Sequence, residues 1–197
     1  IVGIVRGVSM EVMRDIATVY LRAGLHTIEI TMNTPGAIEM ISNLRSEFQN
    51  LNVGAGTVCN MEDYIKAIEA GSQFIVTPIL DEAVIKNAVA DKIPIFPGAY
   101  SPTEIYRAWS LGASAVKIFP ATQLGVQFIK DISAPLNEIK LLPTGGVSLD
   151  NIKSFFEAGA VGVGMGSSLF NKKLIEERNF EGLAEHFTKV KAEATGF

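Results

Sequence analysis

Four glycines recur at nearly even spacing along this 197-residue chain. Each follows a small or apolar residue and precedes a run that is β-prone, and successive glycines are separated by 47, 41 and 47 residues. The four segments are Arg22-Ala23-Gly24-Leu25, Glu69-Ala70-Gly71-Ser72, Ser110-Leu111-Gly112-Ala113 and Glu157-Ala158-Gly159-Ala160. Glycine adopts the left-handed conformation beyond a helix end at little cost, so each segment predicts a helix end followed by a strand.

A second set of short apolar runs lies between these segments, at Val2–Arg6, Leu51–Gly56, Ile93–Phe96 and Glu138–Leu142. Each period therefore holds two strand–helix units, and four periods give eight. Alternating strands and helices indicate a parallel sheet. An open doubly wound sheet could also hold eight strands, but the even fourfold spacing favours a closed ring. We predict a single-domain α/β protein, a (β/α)8 TIM barrel over residues 1–197, with its chemistry at the carboxyl ends of the strands.

Helix starts are predicted from capping residues. Ser101 with Glu104 forms a capping-box pattern, and Asn60 with Asp63 and Ser148 with Asp150 give weaker versions of the same signal. The chain opens on the apolar segment Ile1–Val5, with neither an initiator methionine nor a cationic signal region, which we interpret as a trimmed N-terminus.

Charge and cysteine content exclude several classes of function. The chain has 17 basic and 21 acidic residues, and its net charge of −4 argues against nucleic acid or an anionic membrane as partner. No apolar run reaches the ~18 residues of a membrane span. The single cysteine, Cys59, forbids an internal disulfide and favours a reducing, cytoplasmic compartment. Two histidines, His26 and His186, are too few and too far apart for a histidine-rich metal site.

A lysine stands in the middle of the sixth predicted strand, Ala113 to Pro120. Alternation places Lys117 on the same face as Ala115, inside the barrel, because Val116 and Ile118 must face the helices. Burying an ammonium costs several kcal/mol unless it is paired or neutralised. Burial also lowers a lysine pKa, and a neutral amine is the nucleophile that forms a Schiff base with a carbonyl. The alternative is a lysine that snorkels or is tied to a structural carboxylate.

Glu29 is the candidate partner of this lysine. On the second predicted strand Ile28 and Ile30 take the helix-facing side, so Glu29 and Thr31 face inward. A carboxylate beside a Schiff-base lysine can shuttle protons, and burial raises its pKa towards neutrality. The alternative is a plain Glu29–Lys117 ion pair. Both interpretations predict contact between the two side chains.

Polar residues at other strand ends are candidate substrate ligands. Thr57 and Thr77 could donate hydrogen bonds to a carboxylate or hydroxyl, although threonine is also an ordinary strand residue. Arg6 is the one arginine predicted at the catalytic rim, where it could bind an acid group or simply be solvated.

Two glycine clusters predict a phosphate site. Pro143-Thr144-Gly145-Gly146 follows strand seven, and Gly164-Met165-Gly166-Ser167-Ser168 follows strand eight. In this barrel the loops after strands seven and eight, with a short helix N-terminus, commonly bind phosphate. Glycines let backbone N–H groups approach the anion, so no arginine is required.

Four segments in register resemble the class I 2-keto-3-deoxy-6-phosphogluconate / 4-hydroxy-2-oxoglutarate aldolases: Glu29-Ile30-Thr31, Gly54-Ala55-Gly56-Thr57-Val58, Val116-Lys117-Ile118-Phe119-Pro120 and Pro143-Thr144-Gly145-Gly146. The likeness runs from about Val2 to Phe170. It implies a homotrimeric, metal-free aldolase without a cofactor, acting on a small phosphorylated 2-keto acid through a covalent Schiff base. It also implies a helix before the first strand, which is missing here.

The resemblance assigns roles residue by residue. Lys117 matches the Schiff-base lysine, Glu29 the general acid/base, Thr57 a carboxylate ligand and Phe119 a residue packed near the imine. Gly145, Gly146, Gly166 and Ser167 fall on the phosphate loops. Arg6 matches an arginine that is common at the first strand.

One departure bears on the substrate. Members acting on the gluconate-derived substrate commonly have arginine where this chain has Asn33, and asparagine is more typical of the sister 2-keto-3-deoxy-6-phosphogalactonate aldolases. Thr144, in contrast, matches the gluconate-type motif. Arg6 is the alternative ligand for the carboxylate. Two other classes stay open: a phosphate-binding isomerase or epimerase in which Lys117 forms no imine, and a phosphosugar-binding barrel without aldolase activity.

Overall fold

The structure is a computed structural model that describes residues 1–195. Short parallel strands alternate with helices along this part of the chain. The strands are β1 Val2–Val5, β2 Thr27–Thr31, β3 Asn52–Gly56, β4 Ile75–Val76, β5 Ile95–Phe96, β6 Gly98–Ala99, β7 Val116–Ile118, β8 Leu141–Pro143 and β9 Gly164–Met165. The helices are α1 Met10–Arg22, α2 Ala37–Glu47, α3 Met61–Glu69, α4 Glu82–Ala90, α5 Pro102–Ser110, α6 Ala121–Ser133, α7 Ile152–Glu157, α8 Lys172–Glu176 and α9 Phe180–Glu193.

The strands form two hydrogen-bonded parallel sheets. One has the order β5-β4-β3-β2-β1-β9 and the other β6-β7-β8, and an isolated parallel bridge between Thr144 and Gly164 links β8 to β9. Pro97 separates β5 from β6, because proline has no N–H to donate to a ladder. The predicted α/β fold with a parallel sheet is confirmed. A complete ring of eight strands stays a prediction, since the ladder is interrupted at Pro97.

Both sheets curl around a shared interior. A small cluster of buried side chains, here called the inner cluster, joins strands of the two sheets; it comprises Val2, Phe74, Val76, Ala115 and Leu142, with Phe96 packed against it. The larger core lies between the strands and the helices and includes Ile28, Ile30, Val116 and Ile118. Neighbouring positions along β2 and β7 therefore face opposite sides, as the alternation predicts. The next inward positions above the inner cluster, towards the carboxyl ends, are free to line a cavity.

The predicted helix ends are largely confirmed. Gly24, Gly71, Gly112 and Gly159 all have left-handed φ values between 76° and 103°, one residue beyond the helix C-cap. The capping box at Ser101 and Glu104 is present, and the Asn60 side chain accepts from the Asp63 N–H.

The helix start predicted at Ser148 and Asp150 is wrong. Helix α7 begins only at Ile152, after Asn151, and the Asn151 Oδ1 accepts from the Ser148 N–H at 2.9 Å. The short polar side chain of Asn151 therefore stabilises a turn ahead of the helix. Across residues 1–195, none of the helices combines the length and the apolar composition that crossing a bilayer requires.

Candidate active site

A cavity of about 810 Å³ opens at the carboxyl ends of the strands. It brings together most of the predicted site residues, which come from the ends of β1, β2, β3, β7, β8 and β9. Those that line it are Arg6, Glu29, Thr57, Lys117, Phe119, Thr144, Gly145, Gly146, Gly166 and Ser167.

Lys117 lies in β7 on the inner face, directly above Ala115 of the inner cluster. The residue is only 5% exposed, and its Nζ lies 4.8 Å from the centroid of the Phe119 ring. Within residues 1–195 this Nζ makes no hydrogen bond or ion pair. Burial lowers the pKa of Lys117, the negative charge of Glu29 opposes that shift, and the positive charge of Arg6 adds to it. The site therefore favours the neutral amine.

Glu29 lies on β2 and is 2% exposed. Its carboxyl group lies over β3 at Gly56, where a Cβ would overlap Oε1 and come within 2.7 Å of Cδ. Glycine is therefore needed at position 56 for the carboxyl group to lie where it does. Burial raises the pKa of Glu29, and the positive charges of Lys117 and Arg6 partly oppose this.

The contact between Glu29 and Lys117 that both interpretations predicted is not formed. No ion pair within 4.0 Å joins them anywhere in the described chain, although each charge shifts the pKa of the other. The polar ends of Glu29 and Lys117 lack hydrogen-bond partners among the described residues but are not sealed off, since both residues line the cavity. In residues 1–195 the Ser72 Oγ is the one side-chain polar atom that is both fully enclosed and without a partner. The arrangement leaves both groups available to a bound molecule.

Three further side chains form the rim. Thr57, directly after β3, is half-buried with a left-handed φ of 58°, and its hydroxyl has no hydrogen-bond partner in the described part. Arg6, directly after β1, is exposed to the cavity and forms no ion pair with any described residue. Phe119 is 37% exposed and forms the wall beside Lys117. A hydroxyl and a guanidinium without protein partners suit a carboxylate ligand.

Thr31, Asn33 and Thr77 do not line the cavity. The Thr31 hydroxyl is buried, donates to the Val5 carbonyl at 3.3 Å and lies 2.9 Å from the Thr34 hydroxyl. The Thr77 hydroxyl donates to the Ile79 carbonyl and accepts from the Gly98 N–H. Asn33 is exposed in the turn after β2. The two threonines therefore hold loops in place and have no hydroxyl free for a substrate.

The two glycine clusters face the cavity as predicted. Gly145 and Gly146 have φ values of 89° and 77°, and Gly145, Gly146, Ser167 and Ser168 donate no backbone hydrogen bond to any partner in residues 1–195. The expected short helix does not begin here, because Ser167 lies in a turn and α8 starts at Lys172. An anion bound between these loops would therefore meet loop N–H groups and no helix N-terminus.

The cavity also extends past the predicted residues, between the start of α1 and α8. Its lining there includes Val8, Val12 and Ile175, with the charged Lys172 and Arg178 at the edge. These residues lie in loops and helices without a motif, so no periodic pattern in the sequence could have identified them. Among the described residues, no cluster of three or more His, Cys, Asp or Glu side chains could hold a metal ion.

Comparison with known proteins identifies close relatives. A sequence model of the family described as KDPG and KHG aldolase matches residues 1–185. A 2-dehydro-3-deoxy-phosphogluconate aldolase of Haemophilus influenzae is 33% identical over 89% of this chain and 83% of its own length. A 2-dehydro-3-deoxy-6-phosphogalactonate aldolase of Escherichia coli is 32% identical over 98% of this chain and 95% of its own.

A solved structure gives the same result at the level of the fold. KDPG aldolase from Legionella pneumophila, with pyruvate captured as a covalent carbinolamine intermediate, superposes with a TM-score of 0.86. It is 26% identical in sequence, and the match covers 96% of this chain and 93% of that one.

Proposed function

The chain belongs to the KDPG and KHG aldolase family, and we propose that it is a class I aldolase that cleaves 2-keto-3-deoxy-6-phosphogluconate to pyruvate and glyceraldehyde 3-phosphate. Cleavage of 4-hydroxy-2-oxoglutarate to pyruvate and glyoxylate is a second reaction of the same site. The observation that carries the proposal is the buried Lys117, whose amine makes no hydrogen bond or ion pair in the described chain and lines the same cavity as Glu29. A phosphosugar-binding protein would need the anion loops but neither of these groups.

The first half of the reaction makes an imine. Because burial lowers the pKa of Lys117, its neutral Nζ attacks the C2 ketone of the substrate and forms a carbinolamine. The carbinolamine loses water with a proton supplied by Glu29, whose raised pKa keeps a proton available. The product is a protonated imine, and its positive charge lowers the pKa of Glu29 and favours the carboxylate.

The second half breaks the carbon–carbon bond. The Glu29 carboxylate takes the proton of the C4 hydroxyl, the C3–C4 bond breaks, and its electron pair moves into the iminium to give an enamine and the aldehyde. The enamine then takes the proton from Glu29 at C3. Water hydrolyses the resulting protonated imine, which releases pyruvate, restores the Lys117 amine and returns a proton to Glu29. No cofactor enters these steps.

The other cavity residues hold the two charged ends of the substrate. We assign the substrate carboxylate to the Thr57 hydroxyl and Arg6, the face of the imine to Phe119, and the phosphate to the loops at Gly145, Gly146, Gly166 and Ser167. Thr144, which is buried and lines the cavity, is assigned to the phosphate as well.

The proposal extends to the whole assembly. We propose that β5 and β6 are one barrel strand interrupted at Pro97, so that the strands close into a single (β/α)8 domain. We also propose a homotrimer, supported by the exposed apolar and aromatic side chains of Ile79, Tyr100 and Tyr106, and a cytoplasmic location, supported by the free Cys59. A mass near three times 21.2 kDa by light scattering is expected, and a monomer would contradict the trimer.

Borohydride trapping with pyruvate tests the function. A reduced pyruvyl adduct is expected on the peptide that contains Lys117. Lys117→Met should form no adduct and should lose turnover while keeping its circular dichroism, because methionine approximates the volume of the lysine stem. The matched control is Lys140→Met, the same change at an exposed lysine. If pyruvate binds but no adduct forms on wild-type Lys117, the Schiff-base mechanism is excluded.

The galactonate-derived substrate is the second candidate. Asn33 and the 32% identity to the phosphogalactonate aldolase of E. coli favour it, whereas Thr144 favours the gluconate type. Asn33 lies outside the cavity, so it bears on this choice only indirectly. Comparison of kcat/KM for the two epimeric substrates decides between them, and a higher value for the galactonate type would overturn the first assignment.

A further inference from the structure

Three carbonyl groups in the anion loops each accept a hydrogen bond from a side chain. The Gly146 carbonyl accepts from Asn151 Nδ2 at 2.8 Å, and the Val147 carbonyl accepts from the Ser168 hydroxyl at 2.5 Å. The Ser168 carbonyl accepts from His186 Nε2 at 2.8 Å. A carbonyl oxygen can only accept, so Nε2 of His186 carries the hydrogen in this contact.

Five backbone N–H groups of the same loops have no hydrogen-bond partner among the described residues. Gly145, Gly146, Val147, Ser167 and Ser168 donate no backbone hydrogen bond within residues 1–195, and all five line the cavity. The phosphate group of a phosphomonoester is mostly a dianion at neutral pH, so it is bound by N–H groups and repelled by carbonyl oxygens. The Gly146 carbonyl belongs to the same peptide unit as the free Val147 N–H, so the bond from Asn151 orients that N–H directly. The Val147 and Ser168 carbonyls belong to the peptide units of the Ser148 and Leu169 N–H groups, which already donate to Asn151 Oδ1 and to the Gly166 carbonyl. The bonds from Ser168 and His186 therefore fix the path of the two loops, and with it the position of the N–H groups that remain for an anion.

The Ser168 side chain also joins the two loops. Its hydroxyl crosses from the loop after β9 to the Val147 carbonyl in the loop after β8. Both loops line the cavity, so this bond ties together the two loops that we assign to the phosphate.

His186 connects this arrangement to a well-packed helix. It lies on α9, next to the fully buried Phe187, whose ring packs edge-on against Tyr20 and Phe170 at centroid distances of 5.1 and 5.7 Å. Phe170 belongs to the same segment after β9 as Ser168. Helix α9 therefore makes two contacts with the segment after β9, the Phe187–Phe170 ring contact and the hydrogen bond from His186.

We propose that His186 and Ser168 are positioning residues that pre-form the phosphate site by holding the Ser168 and Val147 carbonyl groups. The proposal rests on the proposed function for the identity of the phosphorylated substrate, but the anion site itself can be tested without turnover. Neither side chain reaches Lys117 or Glu29 through any hydrogen bond in the described chain.

Titration with inorganic phosphate tests the proposal directly. His186→Leu removes the donor and is expected to weaken phosphate binding about tenfold, the effect of losing one hydrogen bond. His186→Gln keeps an N–H donor and should stay within about threefold of wild type. The matched control is His26→Leu, because His26 is exposed outside the cavity and its ring also contacts a backbone carbonyl, that of Asn50. It should leave phosphate affinity unchanged.

A second readout separates positioning from general damage. Pyruvate carries no phosphate, so the rate of borohydride trapping at Lys117 should be the same in His186→Leu and wild type, while KM for the phosphorylated substrate rises about tenfold. Equal losses in trapping and in phosphate affinity, or wild-type phosphate affinity in His186→Leu, would overturn the proposal. If His186→Leu does not fold, Ser168→Ala takes its place with the same expected loss of affinity, and Ser168→Thr should retain it.

The two proposals fail in different ways. Absence of pyruvate trapping by the wild-type protein, together with the expected phosphate titrations, would reject the aldolase mechanism and leave the positioning role intact. Normal trapping with unchanged phosphate affinity in the variants would reject only the role of His186 and Ser168.

Discussion

Thr57 combines backbone strain with a position in the cavity. Its φ of 58° lies in the left-handed region, where a side chain with a Cβ costs about 1–2 kcal/mol and a β-branched one is rare. Strain of this kind persists where the surrounding structure enforces it, commonly at functional sites. We therefore expect Thr57→Gly to raise the free energy of unfolding and to lower activity at the same time.

The size of the gain follows from two opposing contributions. Glycine relieves the strain of about 1–2 kcal/mol, but its greater freedom in the unfolded chain costs about 0.5–1 kcal/mol. The net stabilisation of Thr57→Gly should be about 0.5–1 kcal/mol. Thr57→Ala keeps the Cβ and hence most of the strain, and it breaks no hydrogen bond of the hydroxyl with a described residue. The glycine variant should exceed the alanine variant by about 1 kcal/mol.

Activity should respond differently. Both variants lose the hydroxyl that we assign to the substrate carboxylate, and a hydrogen bond to a charged group contributes about 1.5–3 kcal/mol. Each should therefore lose about tenfold or more in kcat/KM. If only the glycine variant loses activity, the backbone conformation and not the hydroxyl is what the site requires.

Urea unfolding midpoints together with kcat/KM provide the assay. Lys92 is a matched control, since its φ is 60° and it is exposed beyond the end of α4, outside the cavity. Lys92→Gly should raise the free energy of unfolding by a similar amount with unchanged kcat/KM. The reasoning is refuted if Thr57→Gly is less stable than Thr57→Ala while Lys92→Gly is stabilised as expected.

Three further perturbations test the catalytic pair and the phosphate site. Gly56→Ala should lower kcat about tenfold or more with a smaller change in KM, because a Cβ there must displace the Glu29 carboxyl group. A wild-type rate of single-turnover cleavage would show that the position of this carboxyl group is not critical. Glu29→Gln should lower the pKa of Lys117 further, because the attraction to the Glu29 charge that opposes the effect of burial is lost. The rate of borohydride trapping, measured as a function of pH, should therefore reach its plateau at a lower pH than in wild type. A plateau at a higher pH would contradict this. Ser167→Asp should raise KM for the phosphorylated substrate through charge repulsion, and an unchanged KM would remove Ser167 from the phosphate site.

The parallel α/β fold and the inward placement of Lys117 and Glu29 could be predicted because they depend on periodic patterns. Strand alternation of period two places Lys117 and Glu29 on the inner face, and the structure confirms this through their burial above the inner cluster. The same rule placed Thr31 on the inner face, and the residue is indeed buried, but its hydroxyl is taken up by Val5 and Thr34. Periodicity predicts which side a residue faces and does not predict which partner lies there.

Loop geometry limited the rest of the site prediction. Thr77 follows a strand just as Thr57 does, yet its hydroxyl binds the Ile79 carbonyl two residues further along, because the chain turns back over it at Pro78. Thr57 instead takes a left-handed φ, and its hydroxyl stays free of described partners. The two threonines carry the same sequence signal, and the path of the following residues alone separates them.

The proposed anion loops also show which part of the site the sequence predicts and which part it does not. Glycine clusters in the sequence predict that backbone N–H groups can approach a phosphate, but they do not specify which way each peptide plane turns. In the structure the bond from Asn151 orients the peptide plane of the Val147 N–H, while His186 and Ser168 hold the path of the loops through two further carbonyl groups. His186 is separated from its partner carbonyl by 18 residues and belongs to a helix that contacts this segment otherwise through the Phe187 and Phe170 rings. Because a carbonyl turned inward would repel the anion that an N–H binds, the phosphate binding that we propose for these loops depends in part on Asn151 and His186, which no motif contains.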